Sequence, residues 1–233
     1  MSKVGGRYAI YFAPDATSPL ARFGAEWLGY DVAAGVTVAQ PAVPGIAPER
    51  LSAMTVEPRR YGFHATLKPP FALAQGSDAA SLNAAVAALA GRVPAFAAPR
   101  LCLARISGFW ALTLSEPCAA MDQLAAVCVS DLDRFRAPPP AEELARRRSA
   151  RLSDAQEMLL DRWGYPYVMG EFRFHMTLTA RLDPVESVLA GEKLAALIAP
   201  FCQTPLPIDA LSLFWQDRRE APFRLLQRYE LAR

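Results

Sequence analysis

The sequence spells Phe63-His64-Ala65-Thr66-Leu67 and, much later in the chain, Phe174-His175-Met176-Thr177-Leu178. Both segments follow the pattern F-H-x-T-L, and they contain the only two histidines of the 233-residue chain. A pattern that recurs around every histidine indicates two copies of one functional element rather than two unrelated residues.

Both segments predict β-strands, because apolar and polar residues alternate along them and side chains of a strand point to opposite faces at a period of two. The polar faces consist of Gly62, His64, Thr66 and Lys68 in the first segment and of Arg173, His175, Thr177 and Thr179 in the second. Each face combines a cation with an imidazole and a hydroxyl about 7 Å apart along the backbone, a spacing that suits different oxygens of one small anion.

The composition favours a globular protein that binds a small ligand. Apolar residues make up 52% of the chain, and the net charge is +2. A protein that follows a nucleic-acid backbone usually has a stronger basic excess, whereas a small phosphorylated ligand needs only a local positive patch. Residues 1–7 contain no apolar signal core, and no segment reaches membrane-spanning length. The sequence therefore predicts a soluble cytoplasmic protein with no membrane partner.

The residues available as metal ligands are few. The four cysteines are dispersed and form no CxxC pair, so we expect them to be reduced. Together with two histidines they make a poor ligand set for zinc. We expect neither a metal nor another cofactor.

The order of the predicted elements contains an internal repeat. A histidine strand, a helix and a hairpin occur at about 61–115 and again at about 172–231. Two copies of one unit usually pack around an approximate two-fold axis, which places their polar faces opposite each other across a groove. We expect a single bilobal α+β domain over residues 1–233, with an arginine-rich helical insertion at 141–163.

Two H-x-T motifs on strands of a duplicated α+β unit resemble the 2H phosphoesterase superfamily. The longer strings RYGFHATLKPP at 60–70 and EFRFHMTLT at 171–179 look like its bacterial branch of phosphonate-metabolism proteins, which is named for an association with phosphonate-degradation operons. The resemblance covers both repeats. It implies a bilobal fold in which two mainly antiparallel sheets line a central cleft and helices pack outside. It also implies metal-independent cleavage of cyclic or 2′-5′ phosphodiesters.

Carried over by position, His64 and His175 are the expected catalytic pair, and Thr66 and Thr177 are the expected phosphate-contacting hydroxyls. An imidazole has an unperturbed pKa of about 6.5. One histidine can therefore take a proton from water while the other protonates the departing sugar oxygen. The sequence leaves open which of the two is the base.

Three further side chains are candidates for the same cleft. Lys68 and Arg173 are expected to bind phosphate, because each is the cation of a polar strand face. Tyr11 alternates with its neighbours on a predicted strand that begins near Arg7, and it is a candidate for the cleft wall.

Three functions remain open from the sequence. The first is the opening of a small ribose cyclic phosphate, for which the resemblance suggests a phosphorylated ribosyl 1,2-cyclic phosphate. The second is the processing of RNA 2′,3′-cyclic phosphate ends, in which Arg146, Arg147, Arg148 and Arg151 would grip the strand. The third is a non-catalytic module that binds a phosphate ligand or RNA. The near-neutral charge favours a small substrate over RNA, and the intact pair of motifs favours an enzyme.

Overall fold

The structure, a computed structural model, describes residues 6–233 and has α+β architecture. The prediction of a cytoplasmic location used residues 1–7, of which residues 1–5 lie outside the described residues. The strands are β1 (Arg7–Phe12), β2 (Tyr30–Asp31), β3 (Val36–Thr37), β4 (Ala65–Ala72), β5 (Phe96–Ile106), β6 (Phe109–Leu114), β7 (Met176–Thr177), β8 (Pro205–Ile208), β9 (Ala210–Gln216) and β10 (Arg224–Glu230).

Among residues 6–233, four of the seven α-helices begin at a residue whose side chain caps the first turn. The seven helices are α1 (Pro19–Leu28), α2 (Pro48–Arg59), α3 (Ala79–Ala90), α4 (Ala119–Asp131), α5 (Ala141–Arg148), α6 (Asp154–Trp163) and α7 (Pro184–Ile198). In α1, for example, the Ser18 hydroxyl accepts a hydrogen bond from the Ala21 N–H, and Gly29 ends the helix with a φ of 76°. Across residues 6–233, no helix has both the length and the apolar character needed to cross a bilayer.

Eight of the strands form one antiparallel sheet in the order β10-β9-β1-β4-β7-β6-β5-β8. Its two halves of four strands meet where β4 pairs with β7, through the single residue pair Ala65 and Met176. The predicted α+β class with mainly antiparallel strands is confirmed. The two predicted sheets are the two halves of this one sheet.

The hairpins that follow the histidine segments lie in the opposite halves of the sheet. After β4 and α3, the hairpin β5–β6 lies beside β7, whereas after β7 and α7 the hairpin β9–β10 lies beside β1. Each half of the sheet therefore contains strands from both of the predicted repeat units. The repeat units at 61–115 and 172–231 remain a prediction.

The sheet has one face covered by helices and a second face with a smaller apolar cluster. Along β1, Tyr8, Ile10 and Phe12 point into the main core, while Ala9 and Tyr11 alternate with them and point to the other face. The main core also contains the apolar side chains of both F-H-x-T-L segments. The histidines consequently lie on the less covered face.

The second histidine segment forms a shorter strand than predicted. The sequence predicts a strand from about residue 172 to 179, but β7 contains only Met176 and Thr177. In the antiparallel register, the residues before Met176 would continue along β4, yet the ladder between the two strands contains a single pair. We attribute the difference to divergence of β4 and β7 beyond this point, which leaves residues 172–175 without a strand partner.

Helix α1 contacts both histidine segments. Gly24 packs directly on the ring of Phe63, the residue before His64. One turn later, the indole Nε1 of Trp27 donates a buried hydrogen bond of 2.8 Å to the carbonyl of Leu178. The helix therefore holds the two segments in a fixed relation from the core side.

We predict that Gly24→Ala destabilises the protein, although alanine is the better helix former by about 1 kcal/mol. A Cβ at this position would lie 2.1 Å from ring atoms of Phe63, too close for the core to accept without movement. Overpacking of this kind typically lowers the free energy of unfolding by about 1–3 kcal/mol. Denaturant unfolding measures the change, with the exposed Glu26→Ala on the same helix as the control. An unchanged or increased stability of Gly24→Ala would contradict this packing.

Candidate active site

The pairing of β4 with β7 brings the predicted catalytic and hydroxyl residues onto one face of the sheet. Ala65 and Met176 pair with each other, and both side chains lie in the helix-covered core. The residues on either side of this pair must then share the opposite face. These residues are His64, Thr66, His175 and Thr177.

The antiparallel register of Ala65 and Met176, extended by one residue on each side, would place His64 across from Thr177 and Thr66 across from His175. In a regular antiparallel pair the two histidines would then lie on a diagonal, for which the usual separation is about 7–8 Å. The sequence predicted polar faces that oppose each other across a groove. In the structure they lie side by side on neighbouring strands, and both face the same space.

The two imidazoles are held in the same way. The Nδ1 of His64 lies 2.9 Å from the carbonyl oxygen of Gly62, and the Nδ1 of His175 lies 2.8 Å from that of Arg173. A carbonyl oxygen only accepts, so each Nδ1 carries the proton and donates it. Each neutral ring therefore keeps its lone pair on Nε2. The Nε2 of His64 is 3.2 Å from the hydroxyl of Thr66, which lies on the same strand face.

Gly62 has the backbone conformation that orients the carbonyl below His64. Its φ is 74°, a value that side-chain-bearing residues rarely adopt. A Cβ at this position would also lie 2.6 Å from Val32. The glycine is thus needed for both the turn and the close approach that fix the tautomer of His64.

Burial lowers the pKa of His64 to about 4. The Gly62 carbonyl acts in the opposite direction, because it stabilises the protonated ring, and the charge of His175 lowers the pKa further. The surrounding rings explain the burial: Tyr11 stacks on His64 at 3.8 Å between centroids, with Tyr61 at 6.1 Å and Phe214 at 6.2 Å. His64 is therefore neutral near neutral pH and can accept a proton at Nε2.

Tyr11, the candidate for the cleft wall, lies beneath His64 rather than in the open cleft. Its side chain is 0% exposed, and its hydroxyl has no hydrogen-bond partner among residues 6–233. Burial raises the pKa of Tyr11 well above its ordinary value, so the phenol stays neutral. The ring supports His64 by stacking, and the structure shows no route by which it would touch a ligand.

A pocket of about 480 Å³ opens beside the histidine face. Its lining includes His64 and Thr177, together with Tyr61, Phe109 and Arg181. Phe109 also contacts the ring of His175, with 6.0 Å between centroids. The pocket is thus lined by His64, while His175 is connected to it through its contact with Phe109.

Lys68 does not lie in this pocket, so its predicted position on the polar face is wrong. The side chain is 1% exposed and bonds to the carbonyl of Val129 at 3.0 Å and to Asp133 at 3.3 Å, on the helix-covered side. The cause is a β-bulge: Thr66 pairs with Tyr11 but Lys68 pairs with Ile10, so the period of two is interrupted.

Burial lowers the pKa of Lys68 to about 8, while the carboxylate of Asp133 opposes that shift. The residue is therefore part of a buried ion pair beneath the sheet and is separated from the candidate site by the strand itself.

Arg173 holds His175 through its backbone, as described above, and its side chain is exposed. The contact of its guanidinium with a phosphate remains a prediction.

Arg181 is a cation that lines the pocket and that was not predicted from the sequence. Arg181 continues the alternation of Arg173, His175, Thr177 and Thr179 by one further step, and this spacing was the available signal. Thr179 itself is buried, and its hydroxyl accepts a hydrogen bond from the backbone N–H of Trp110 at 3.0 Å. No sequence pattern marked the aromatic lining residues Tyr61 and Phe109, because aromatic residues are equally common in a protein core.

The part of the chain that the structure describes brings together no group of three or more histidine, cysteine, aspartate or glutamate side chains suited to a metal ion. The metal independence implied by the sequence resemblance remains a prediction.

The fold and the site define an α+β protein with a pair of H-x-T segments joined at the centre of one sheet. The chain belongs to the family described as "Protein of unknown function (DUF1045)", whose family model matches residues 66–224.

Two curated relatives match almost the whole chain. Proteins named "Ribose 1,5-bisphosphate phosphokinase PhnN" are 39% identical in Janthinobacterium sp. (strain Marseille), over 95% of this chain, and 36% identical in Laribacter hongkongensis (strain HLHK9), over 94%. The match covers 50% of each relative, so this chain spans about half the length of the proteins it matches.

Solved structures of E. coli LigT are also similar in outline. The apo form aligns with a TM-score of 0.45 and 15% identity, and the complex with 3'-AMP with a TM-score of 0.43 and 15% identity. Both alignments cover 97% of this chain and 98% of the other chain.

We predict that NMR titration finds His64 as the Nδ1–H tautomer with a pKa near 4. The chain has only two histidines, so the His175→Gln variant assigns both sets of signals. The same variant removes a like charge from the site and should raise the pKa of His64. A proton on the Nε2 of neutral His64, or an ordinary pKa near 6.5, would contradict the geometry.

Proposed function

We propose that this protein hydrolyses a small cyclic phosphodiester, with His64 and His175 as the acid–base pair. The observation that carries the proposal is the matched pair of Nδ1 hydrogen bonds, which leaves the lone pair of each neutral ring on Nε2. The hydroxyls of Thr66 and Thr177 share the same sheet face, and that of Thr66 lies 3.2 Å from the Nε2 of His64. Two imidazole nitrogens able to exchange protons suit a reaction that both removes and supplies a proton.

His64 is the proposed base, because its lowered pKa keeps it neutral near neutral pH. Its Nε2 takes a proton from water as the water oxygen forms a bond to phosphorus. The bond from phosphorus to one ring oxygen breaks, and the protonated Nε2 of His175 donates its proton to that leaving oxygen. The products are a phosphomonoester and a free hydroxyl on the neighbouring carbon.

The hydroxyls and cations have separate proposed roles. Thr66 and Thr177 donate to the non-bridging phosphate oxygens, on which negative charge builds during the reaction. Arg181, which lines the pocket, and the exposed Arg173 offset that charge.

The proposed substrate class is a ribose cyclic phosphate, and a phosphorylated ribosyl 1,2-cyclic phosphate is the first to test. The pocket volume of about 480 Å³ falls within the usual range for small-ligand sites, roughly 300–1,000 Å³. Opening such a ring at the bond to O2 gives a ribose with phosphates at positions 1 and 5. This compound occurs in the name of the two relatives, of which the chain spans half. A place in phosphonate catabolism and a cytoplasmic location remain predictions.

The arginine-rich segment supplies no specific support for RNA as the substrate. Arg148 pairs with Glu157 at 3.0 Å and with Asp161 at 2.6 Å, and Arg147 pairs with Glu143. Arg148 is thus already paired with two carboxylates, and Arg147 shares Glu143 with Arg219. Comparing rates on a mononucleotide and an oligonucleotide cyclic phosphate over a range of salt concentrations tests the alternative, since RNA binding weakens steeply with salt.

We predict that His64→Ala and His175→Ala each lower kcat by about 10²–10⁴, the usual contribution of one acid–base group. The wild-type rate should show a bell-shaped pH profile and persist in EDTA. Phosphorus NMR follows the conversion of the cyclic phosphate to a monoester and identifies which ring bond breaks. Full activity of either variant would exclude this assignment, and complete loss in EDTA would exclude metal independence.

We predict that Lys68→Met keeps kcat and KM close to the wild-type values, because the lysine lies on the opposite side of the sheet. Loss of one partner of a buried ion pair usually destabilises a protein, so a lower melting temperature is expected without a change in the site. Asp133 retains Arg136 as a partner at 2.7 Å. Steady-state kinetics together with thermal unfolding separate the two effects. A large rise in KM in a folded variant would return Lys68 to the phosphate site.

A further inference from the structure

Three arginines gather beyond the aromatic side chains that border His64. Arg7 lies on β1, Arg147 on α5, and Arg219 in the connection between β9 and β10. The guanidinium of Arg147 bonds to one carboxylate oxygen of Glu143, and that of Arg219 bonds to the other at 2.7 Å. Arg7 interacts electrostatically with both Arg219 and Glu143. The three cations are therefore neighbours around one carboxylate.

This group has more positive charge than its own partners neutralise. Glu143 offsets one of the three guanidinium groups, and the further partner of Arg7 is the neutral side chain of Gln216, at 2.9 Å from Nε. Burial lowers the pKa of Arg7, and the charge of Arg219 lowers it further. Like charges in a partly buried place are unfavourable unless an anion joins them.

Arg147 is held in place but not fully bonded. Its side chain is 18% exposed, and its guanidinium lies 4.5 Å from the centre of the Tyr165 ring. Its Nε is buried and has no hydrogen-bond partner among residues 6–233. The buried Nε–H is therefore a donor left without an acceptor in the described part of the chain, which is uncommon in folded proteins.

The arginines and His64 lie on the same face of the sheet. The ring of Tyr61 is 6.1 Å from His64 and stacks on Phe223 at 5.4 Å, and the guanidinium of Arg7 is 5.8 Å from the Phe223 ring. Arg7 also interacts electrostatically with Tyr61 and Tyr11. Aromatic rings thus connect the positive group to the ring of His64 on this face, and Tyr61 also lines the pocket.

We infer that Arg7, Arg147 and Arg219 form a second anion subsite, which holds a phosphomonoester of the substrate while the histidines act on its cyclic phosphodiester. The inference rests on the proposed function and extends it, because it gives the arginine-rich insertion a role in specificity. Arginine suits this role because its planar guanidinium binds phosphate oxygens in pairs.

The same helix offers a matched control. Arg148 follows Arg147 directly but is exposed and paired with two carboxylates, Glu157 and Asp161. Arg148→Gln therefore removes the same charge from the same helix without touching the subsite.

The kinetic test compares a ribose cyclic phosphate that carries a phosphate at the far end of the sugar with the same compound lacking it. In Arg147→Gln and Arg219→Gln, the ratio of the two kcat/KM values should fall about tenfold to hundredfold, the usual effect of losing one hydrogen bond to a charged group. Arg148→Gln should keep the wild-type ratio. An unchanged ratio in folded Arg219→Gln, or an equal fall in Arg148→Gln, would overturn the subsite.

A binding test separates this inference from the proposed reaction. Calorimetry should detect binding of ribose 5-phosphate to the wild type and to His64→Ala, and weaker binding to Arg219→Gln. Arg219 is exposed, so its replacement is compatible with folding. Absence of turnover with intact arginine-dependent binding would count against the reaction alone. Absence of binding to the wild type, or binding only of oligonucleotides, would overturn the subsite.

Discussion

The antiparallel contact between Ala65 and Met176 holds together both the sheet and the candidate site. It is the one ladder pair between β4 and β7, and therefore the junction between the two halves of the sheet. A shift of register by one residue would turn every neighbouring side chain to the other face. Helix α1 opposes such a shift from the core side, through the packing of Gly24 on Phe63 and the hydrogen bond from Trp27 to Leu178.

The same junction sets the surroundings of the half-buried His64, the proposed base. Its Nδ1 proton is committed to a carbonyl of its own segment, and Tyr11 covers one ring face, so only Nε2 is directed away from the protein backbone. Burial and the charge of His175 both disfavour the protonated ring. A bound phosphate opposes both influences, because nearby negative charge stabilises the imidazolium. The free protein thus keeps a neutral imidazole at His64, and in the proposed reaction the anion of the substrate would make proton transfer to it more favourable.

The local pattern of the sequence predicted the histidine–threonine face because alternation along a strand needs no knowledge of the rest of the fold. It failed at Lys68, because a β-bulge two residues after Thr66 interrupts the alternation, and the bulge is imposed by pairing with β1. It also predicted too long a strand for β7, because the length of that strand depends on its pairing with β4, which ends after one residue pair. The side-by-side arrangement of the two histidine segments could not be predicted from the sequence either, because the hairpins that follow them cross to opposite halves of the sheet. Periodicity alone contains no information about such long-range pairing.

Charge is distributed differently on the two faces of the sheet, and this difference decides where an anion can bind. Beneath the sheet, the carboxylate of Asp133 pairs with two cations, Lys68 and Arg136. On the histidine face, Glu143 also serves two arginines, and Arg7 adds a third guanidinium whose hydrogen-bond partner is neutral. Because an uncompensated charge is least favourable where water is partly excluded, the face with the larger excess gains more from an added anion. This excess supports the proposed binding of a phosphorylated ligand on the side of the sheet on which both imidazoles lie.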